Sequence, residues 1–181
     1  AAIPSSLMLG TTTYITTDVA SAPFLWVLPL ALYLTTFVIA FQARPAIPPD
    51  ITLLLQAAAL AVCSAILPFS ANSFAMELPV HLATFFLTAL MCHQALVARR
   101  PDAAHLTEFY FWMSLGGVLG GSFNAFLAPV IFDNVWEYPL VLVLSCLVRP
   151  WGDWKIGGFT KAMLIVGVAG GYPAGFAEAF A

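Results

Sequence analysis

Few residues of this chain can do chemistry, and three of them fall close together. His105 and Glu108 are three positions apart, so on a helix they share one face. His93 ends the preceding apolar stretch, near enough in sequence for all three to meet. Two imidazoles and a carboxylate are the donor set of a metal or proton-transfer site. The competing reading has Glu108 at shallow depth, reaching the headgroup region and pairing with Arg99 or Arg100. That shallow depth favours the ion pair. A second polar cluster, "TTTYITTD", ends in Thr16, Thr17 and Asp18. Its hydroxyls and single carboxylate suit a polar path for a small solute or cation. Its plainer role is hydrogen bonding between helices, the role also expected of Thr35, Thr36, Gln56 and Asn124.

The glycines of "LTEFYFWMSLGGVLGGSFNAFLAP" form GGxxGG, not the GxGxxG of a dinucleotide fold, and no strand precedes them. Gly116, Gly117, Gly120 and Gly121 instead give a smooth helix face that lets another backbone come close. Gly167, Gly171 and Gly175 repeat the device near the C-terminus. The reading that needs only one chain docks these two faces on each other; the alternative gives each a different partner. Cys63, Cys92 and Cys146 sit in apolar runs without CxxC spacing, which argues against disulfides and zinc. No GxSxG, HExxH or P-loop occurs, so no enzymatic activity is expected.

The elements that must position these residues are set by composition. The chain is 61% hydrophobic and 8% charged, against about 25% charged in a soluble domain. So few charges cannot cover a soluble surface, and lipid is the expected solvent. The small net charge of −3 and the lack of a basic patch exclude nucleic acid. The chain opens on Ala-Ala without a basic n-region, so no signal peptide is expected.

A membrane helix needs about 20 largely apolar residues. The expected fold is an all-α, polytopic bundle in a single domain over 1–181, with spans at 22–42, 51–69, 78–98, 103–132, 135–149 and 157–176. A short irregular helical element at 5–18 packs against the bundle or re-enters it. Pro29 is expected to kink the first span. The fifth span is short, but charge supports it. Arg44, then Arg99 and Arg100, then Arg149, Lys155 and Lys161 occur only in alternate connections. Positive residues stay cytoplasmic, and the alternation holds only if 135–149 crosses. Trp136 and Trp151 then mark its interfaces, about 22 Å apart. This topology puts the C-terminus on the non-cytoplasmic side of a bacterial inner membrane.

Three stretches together resemble one family: "PSSLMLGTTTYITTDVASAPFLWVLPLALYLTTFVIAF", "MCHQALVARRPDAAHLTEFYFWMSLGGVLGGSFNAFLAP" and "EYPLVLVLSCLVRP". They look like the membrane part of bacterial fused major-facilitator/spermidine-synthase-like proteins. Positions that match the family's pattern include Thr16, Thr17, Asp18, Cys92, His93, Thr107, Glu108 and the four central glycines. The resemblance implies a polytopic inner-membrane region followed by a soluble aminopropyltransferase-like domain with a glycine- and aspartate-rich nucleotide-type site. Nothing in this chain matches that site, so the resemblance implies the membrane module without polyamine synthesis.

Two functions follow as expectations. The first is a non-catalytic accessory subunit, packing against other membrane chains of a larger complex of respiratory or photosynthetic type. It has no required cofactor, though bound lipid or pigment is compatible with it. The second is a transporter-like module for a small cationic solute such as a polyamine, with Asp18, Glu108 and the threonines lining its path. Six spans without an internal repeat favour the first.

Overall fold

The computed structural model describes residues 1–16, 25–43, 46–66, 74–132 and 137–149. All its regular structure is helical, and no strand occurs among the described residues. The helices are α1 (Ala2–Tyr14), α2 (Val27–Ala40), α3 (Pro49–Ile66), α4 (Phe74–Val97), α5 (Leu106–Ser122), α6 (Ala128–Ile131) and α7 (Glu137–Val148). A 3₁₀ turn, Ala103–His105, leads into α5, and a wider π turn, Phe123–Leu127, joins α5 to α6.

Proline chemistry sets several of these boundaries. Pro29 does not kink α2. The helix begins at Val27, so Pro29 falls in the first turn, where its missing N–H costs nothing. Pro49 opens α3 in the same way. Pro129 stands at the start of α6, where its ring crowds the carbonyl one turn back. The π turn lies directly upstream, and a locally widened helix relieves that clash. Glu77, expected in a polar loop, instead sits in the first turn of α4, where a carboxylate offsets the positive helix terminus.

Two helices organise the rest. α4 packs against α1, α2, α3 and α7, and α1 packs against α2, α4, α5 and α7. The element expected at 5–18 is therefore a helix at the centre of the bundle, starting at Ala2. The core between these hubs includes Leu7, Ala57, Phe85, Tyr138 and Val141.

The expectation of six full crossings needs correction. Among the described residues, two helices are long and apolar enough to cross a bilayer, Glu77–Val97 and Ala103–Ile131. Val27–Ala40 and Pro49–Ala65 are apolar but shorter. At 1.5 Å per residue α2 reaches about 21 Å and α7 about 18 Å, against about 30 Å of hydrocarbon. Apolar composition alone overestimated α2, because the turn residues at 25–26 and 41–43 read as membrane-compatible. The 157–176 span and the interface markers Trp136 and Trp151 lie outside the described residues.

Candidate functional site

Beside the apolar core the bundle buries many polar side chains, while many large apolar ones are exposed. Thr36, Thr52, Gln56, His81, Thr84, Thr88, His93 and Ser145 are fully buried. Leu34, Val38, Phe111, Trp112, Val118, Phe126 and Val130 are more than half exposed.

The interior polar groups form three clusters. The first joins α1, α3, α4 and α7. His81 Nδ1 and the Tyr138 hydroxyl are 2.9 Å apart. The Tyr14 ring stacks on Tyr138 at 5.2 Å and tilts over His81 at 4.6 Å. Cys63 Sγ lies 3.5 Å from the same His81 nitrogen. A thiol beside an imidazole is the pairing that activates a cysteine nucleophile. Here the Tyr138 hydroxyl occupies that nitrogen, and Cys63, His81 and Tyr138 all have no exposed surface. The arrangement ties α3, α4 and α7 together through one buried imidazole.

The second cluster fixes a tautomer. Thr36 Oγ1 donates its one proton to the Tyr33 carbonyl at 2.6 Å. Its 2.9 Å contact with His93 Nδ1 must then be donated by the imidazole. His93 is left with a bare Nε2 lone pair, which has no hydrogen-bond partner among the described residues. The ring is flanked by Phe37 at 3.8 Å and Tyr33 at 5.2 Å. Ser5 and Tyr33 hydroxyls, 3.0 Å apart, extend this cluster to α1.

The third cluster is cationic. Arg149, just past α7, is buried rather than solvent-facing. It donates to Gln56 Oε1 at 2.7 Å and to the Leu53 carbonyl at 3.0 Å, fastening the end of α7 to α3.

The sequence-derived site residues do not assemble. His93 is buried between α2 and α4, whereas His105 and Glu108 are exposed at the start of α5. Glu108 Oε1 accepts from Trp112 Nε1 at 3.4 Å, one turn on. No group of three or more His, Cys, Asp or Glu among the described residues is placed to hold a metal. The reason is rotational. His93 looks into the bundle from α4, and the "RRPD" break lets α5 begin on the outside. Thr17 and Asp18 lie outside the described residues. Thr16 bonds back to the Thr12 and Thr13 carbonyls, at 2.8 and 3.1 Å. Thr12 and Thr35 likewise close on their own helices, not on neighbours as expected. Thr36, Gln56 and Asn124 do bridge helices.

The four central glycines face α1. A Cβ on Gly120 would sit 2.8 Å from the Ala2 carbonyl carbon and 2.9 Å from its Cα, with the carbonyl oxygen closer still. One on Gly116 would meet Ala1 Cβ at 3.2 Å, one on Gly117 Ser5 Oγ at 3.5 Å, and one on Gly121 Leu9 Cδ1 at 3.8 Å. Beyond them Asn124, turned by the π segment, donates to the Ser6 carbonyl and to Ser6 Oγ, the latter at 2.9 Å. This edge is occupied by α1; Gly167, Gly171 and Gly175 lie outside the described residues.

His81, Tyr138 and Arg149 were not singled out from sequence. The available signal was only their type: ionisable or hydroxylated groups inside or at the end of apolar runs. A comparison with protein-family models, curated proteins and solved structures finds no match.

Proposed function

We propose that the chain is a non-catalytic, multi-pass helical module of a bacterial inner membrane that packs against other membrane chains as an accessory subunit. The observation that carries this reading is the helix running from α5 into α6. It is long and apolar, and it touches its own bundle along the glycine edge. On its other sides Phe111, Trp112, Val118, Leu119, Phe126 and Val130 stand exposed. Large apolar surface of this extent suits lipid or another apolar helix, not water. Buried polar groups inside the bundle, beside exposed large apolar side chains, support the same solvent. The alternation of Lys and Arg between connections supports several crossings, with the C-terminus non-cytoplasmic. Likeness to the membrane part of the fused major-facilitator/spermidine-synthase-like proteins supports this reading through the quoted stretches alone. Photocrosslinking from Phe111 and Val118 in native membranes, followed by pull-down, tests it. Recurrent adducts to one partner chain are expected; recovery of uncrosslinked monomer alone overturns it.

A second reading, a transporter-like module for a small cationic solute such as a polyamine, is favoured by a specific observation. Thr11 Oγ1, Gln56 Nε2, His81 Nε2, Thr88 Oγ1 and His93 Nε2 are buried without hydrogen-bond partners among the described residues. Buried polar atoms left in that state are costly unless something hydrogen-bonds to them. Glu108 faces outward and does not belong to such a path. Unchanged uptake by proteoliposomes carrying Asp18→Asn or His93→Ala chains removes this reading.

A further inference from the structure

Cys63, His81 and Tyr138 come from three helices, α3, α4 and α7, and bring three unlike donor atoms together. His81 Nδ1 lies 2.9 Å from Tyr138 Oη and 3.5 Å from Cys63 Sγ, and those two atoms are 3.8 Å apart. The circle through the three atoms has a radius of about 2.0 Å. Metal bonds to nitrogen or oxygen are about 2.0–2.2 Å long, and those to sulfur about 2.3 Å. A cation at or just above the centre of this triangle is therefore at bonding distance from all three atoms. We propose that the triangle binds one copper(I) ion, with Cys63 and His81 as principal ligands and Tyr138 as the third.

Donor type, charge and burial point to this ion. A thiolate and an imidazole are soft and borderline ligands, which suit copper(I), whereas magnesium, calcium and manganese call for carboxylates, carbonyls and water. The third donor is a phenol, so the set is complete without a third His, Cys, Asp or Glu. Charge favours a monovalent ion. Copper(I) replaces the proton of the Cys63 thiol, and that proton leaves for solvent, so the site stays neutral. A divalent ion on one thiolate leaves a net positive charge in an apolar interior, which is costly. His81 binds through Nδ1 and carries its proton on Nε2, while Tyr138 keeps its proton and offers an oxygen lone pair. The Tyr14 ring, stacked on Tyr138 and tilted over His81, closes the site on the side of α1. Cys63, His81 and Tyr138 have no exposed surface. The ion therefore enters as the helices assemble, pins three of them together, and does not exchange while the bundle holds. The site does not depend on whether the chain acts as an accessory subunit or as a transporter module.

Metal analysis of the full chain tests the site. The chain is made in copper-supplied cells and purified in mild detergent, under reducing conditions, with a copper(I) chelator present throughout. One copper per chain is expected, retained in mild detergent and released to the chelator in dodecyl sulfate. Cys63→Ala and His81→Gln should each lower the bound copper at least about tenfold, and Tyr138→Phe should lower it less. A chain with both Cys92→Ala and Cys146→Ala should keep the parental copper, because neither thiol belongs to the triangle. X-ray absorption at the copper edge of the parent chain serves if a core variant fails to fold. One sulfur and at least one imidazole nitrogen are expected around the metal. Absence of copper from the parent, zinc in its place, a copper shell with no sulfur or with several, or parental copper in the Cys63→Ala chain each overturn the proposal.

Discussion

Gly120→Ala is a one-methyl test of the α1–α5 contact. The added Cβ would lie 2.8 Å from the Ala2 carbonyl carbon, far inside normal contact. The obstacle is backbone, so no rotamer change relieves it, and α1 must move away from α5. Overpacking of this kind costs about 1–3 kcal/mol, and the rigid neighbour puts Gly120 at the upper end. Alanine also returns up to about 1 kcal/mol of helix propensity. The net loss is about 2 kcal/mol. Gly121 is the internal control. It is on the same helix, has the same propensity gain, and its Cβ would meet only Leu9 Cδ1 at 3.8 Å, an ordinary contact. Gly121→Ala is therefore expected to be neutral or to stabilise by up to about 1 kcal/mol. For a chain of this size 1 kcal/mol moves Tm by about 2–4 °C, so Gly120→Ala should melt about 4–8 °C below the parent. Thermal unfolding of both purified variants in the same detergent is the assay. Equal Tm values for the two, or a Gly120→Ala variant above Gly121→Ala, would refute the close approach of α1.

Other contacts yield tests of the same kind. Arg149→Ala leaves Gln56 Oε1 and the Leu53 carbonyl without their buried donor, at a cost of about 2–4 kcal/mol in detergent unfolding. Combining it with Gln56→Leu should cost less than the two losses added, and full additivity would rule out the pairing. Asn124→Ala removes both bonds to Ser6 and is expected to cost about 1–2 kcal/mol, whereas Ser6→Ala, which spares the carbonyl bond, should cost less. Tyr138→Phe keeps the stack on Tyr14 but strips the hydroxyl from His81, with about 1 kcal/mol lost; a Tm equal to the parent's would show the contact to be inert. Maleimide-polyethylene glycol should leave Cys63, Cys92 and Cys146 unlabelled in mild detergent and label all three in dodecyl sulfate. Rapid labelling in mild detergent would contradict their burial.

Helicity was legible in the sequence, because apolar stretches interrupted by "ARPAIPPD" and "RRPD" leave little room for another fold. Helix lengths were not, since proline position within a turn, not proline presence, decides where α2 begins. The four central glycines read as a packing face, and they do pack. Their partner was not readable, because small residues announce close approach without saying which backbone approaches. The His93, His105 and Glu108 set failed for a rotational reason. Residues close in sequence across a helix break share a site only if both helices turn the same face inward, and α4 and α5 do not. Tyr138 and His81, fifty-seven positions apart, carried no local signal of their pairing. Arg149 counted as a loop charge in sequence, while its long side chain folds back to α3.

The position of α1 imposes an order in time. Asn124 and Ser6 bond across 118 positions of sequence, and Gly120 lies equally far from the Ala2 it packs on. At about 5–20 residues per second of synthesis, α1 leaves the ribosome on the order of ten seconds before its principal partner exists. For that interval α1 lacks its α5 partner, with α2 and α4 the neighbours made earlier. Back-bonds at Thr12 and Thr16 satisfy those two hydroxyls without any neighbouring helix. α1 thus completes its packing only once α5 has been made, long after its own synthesis.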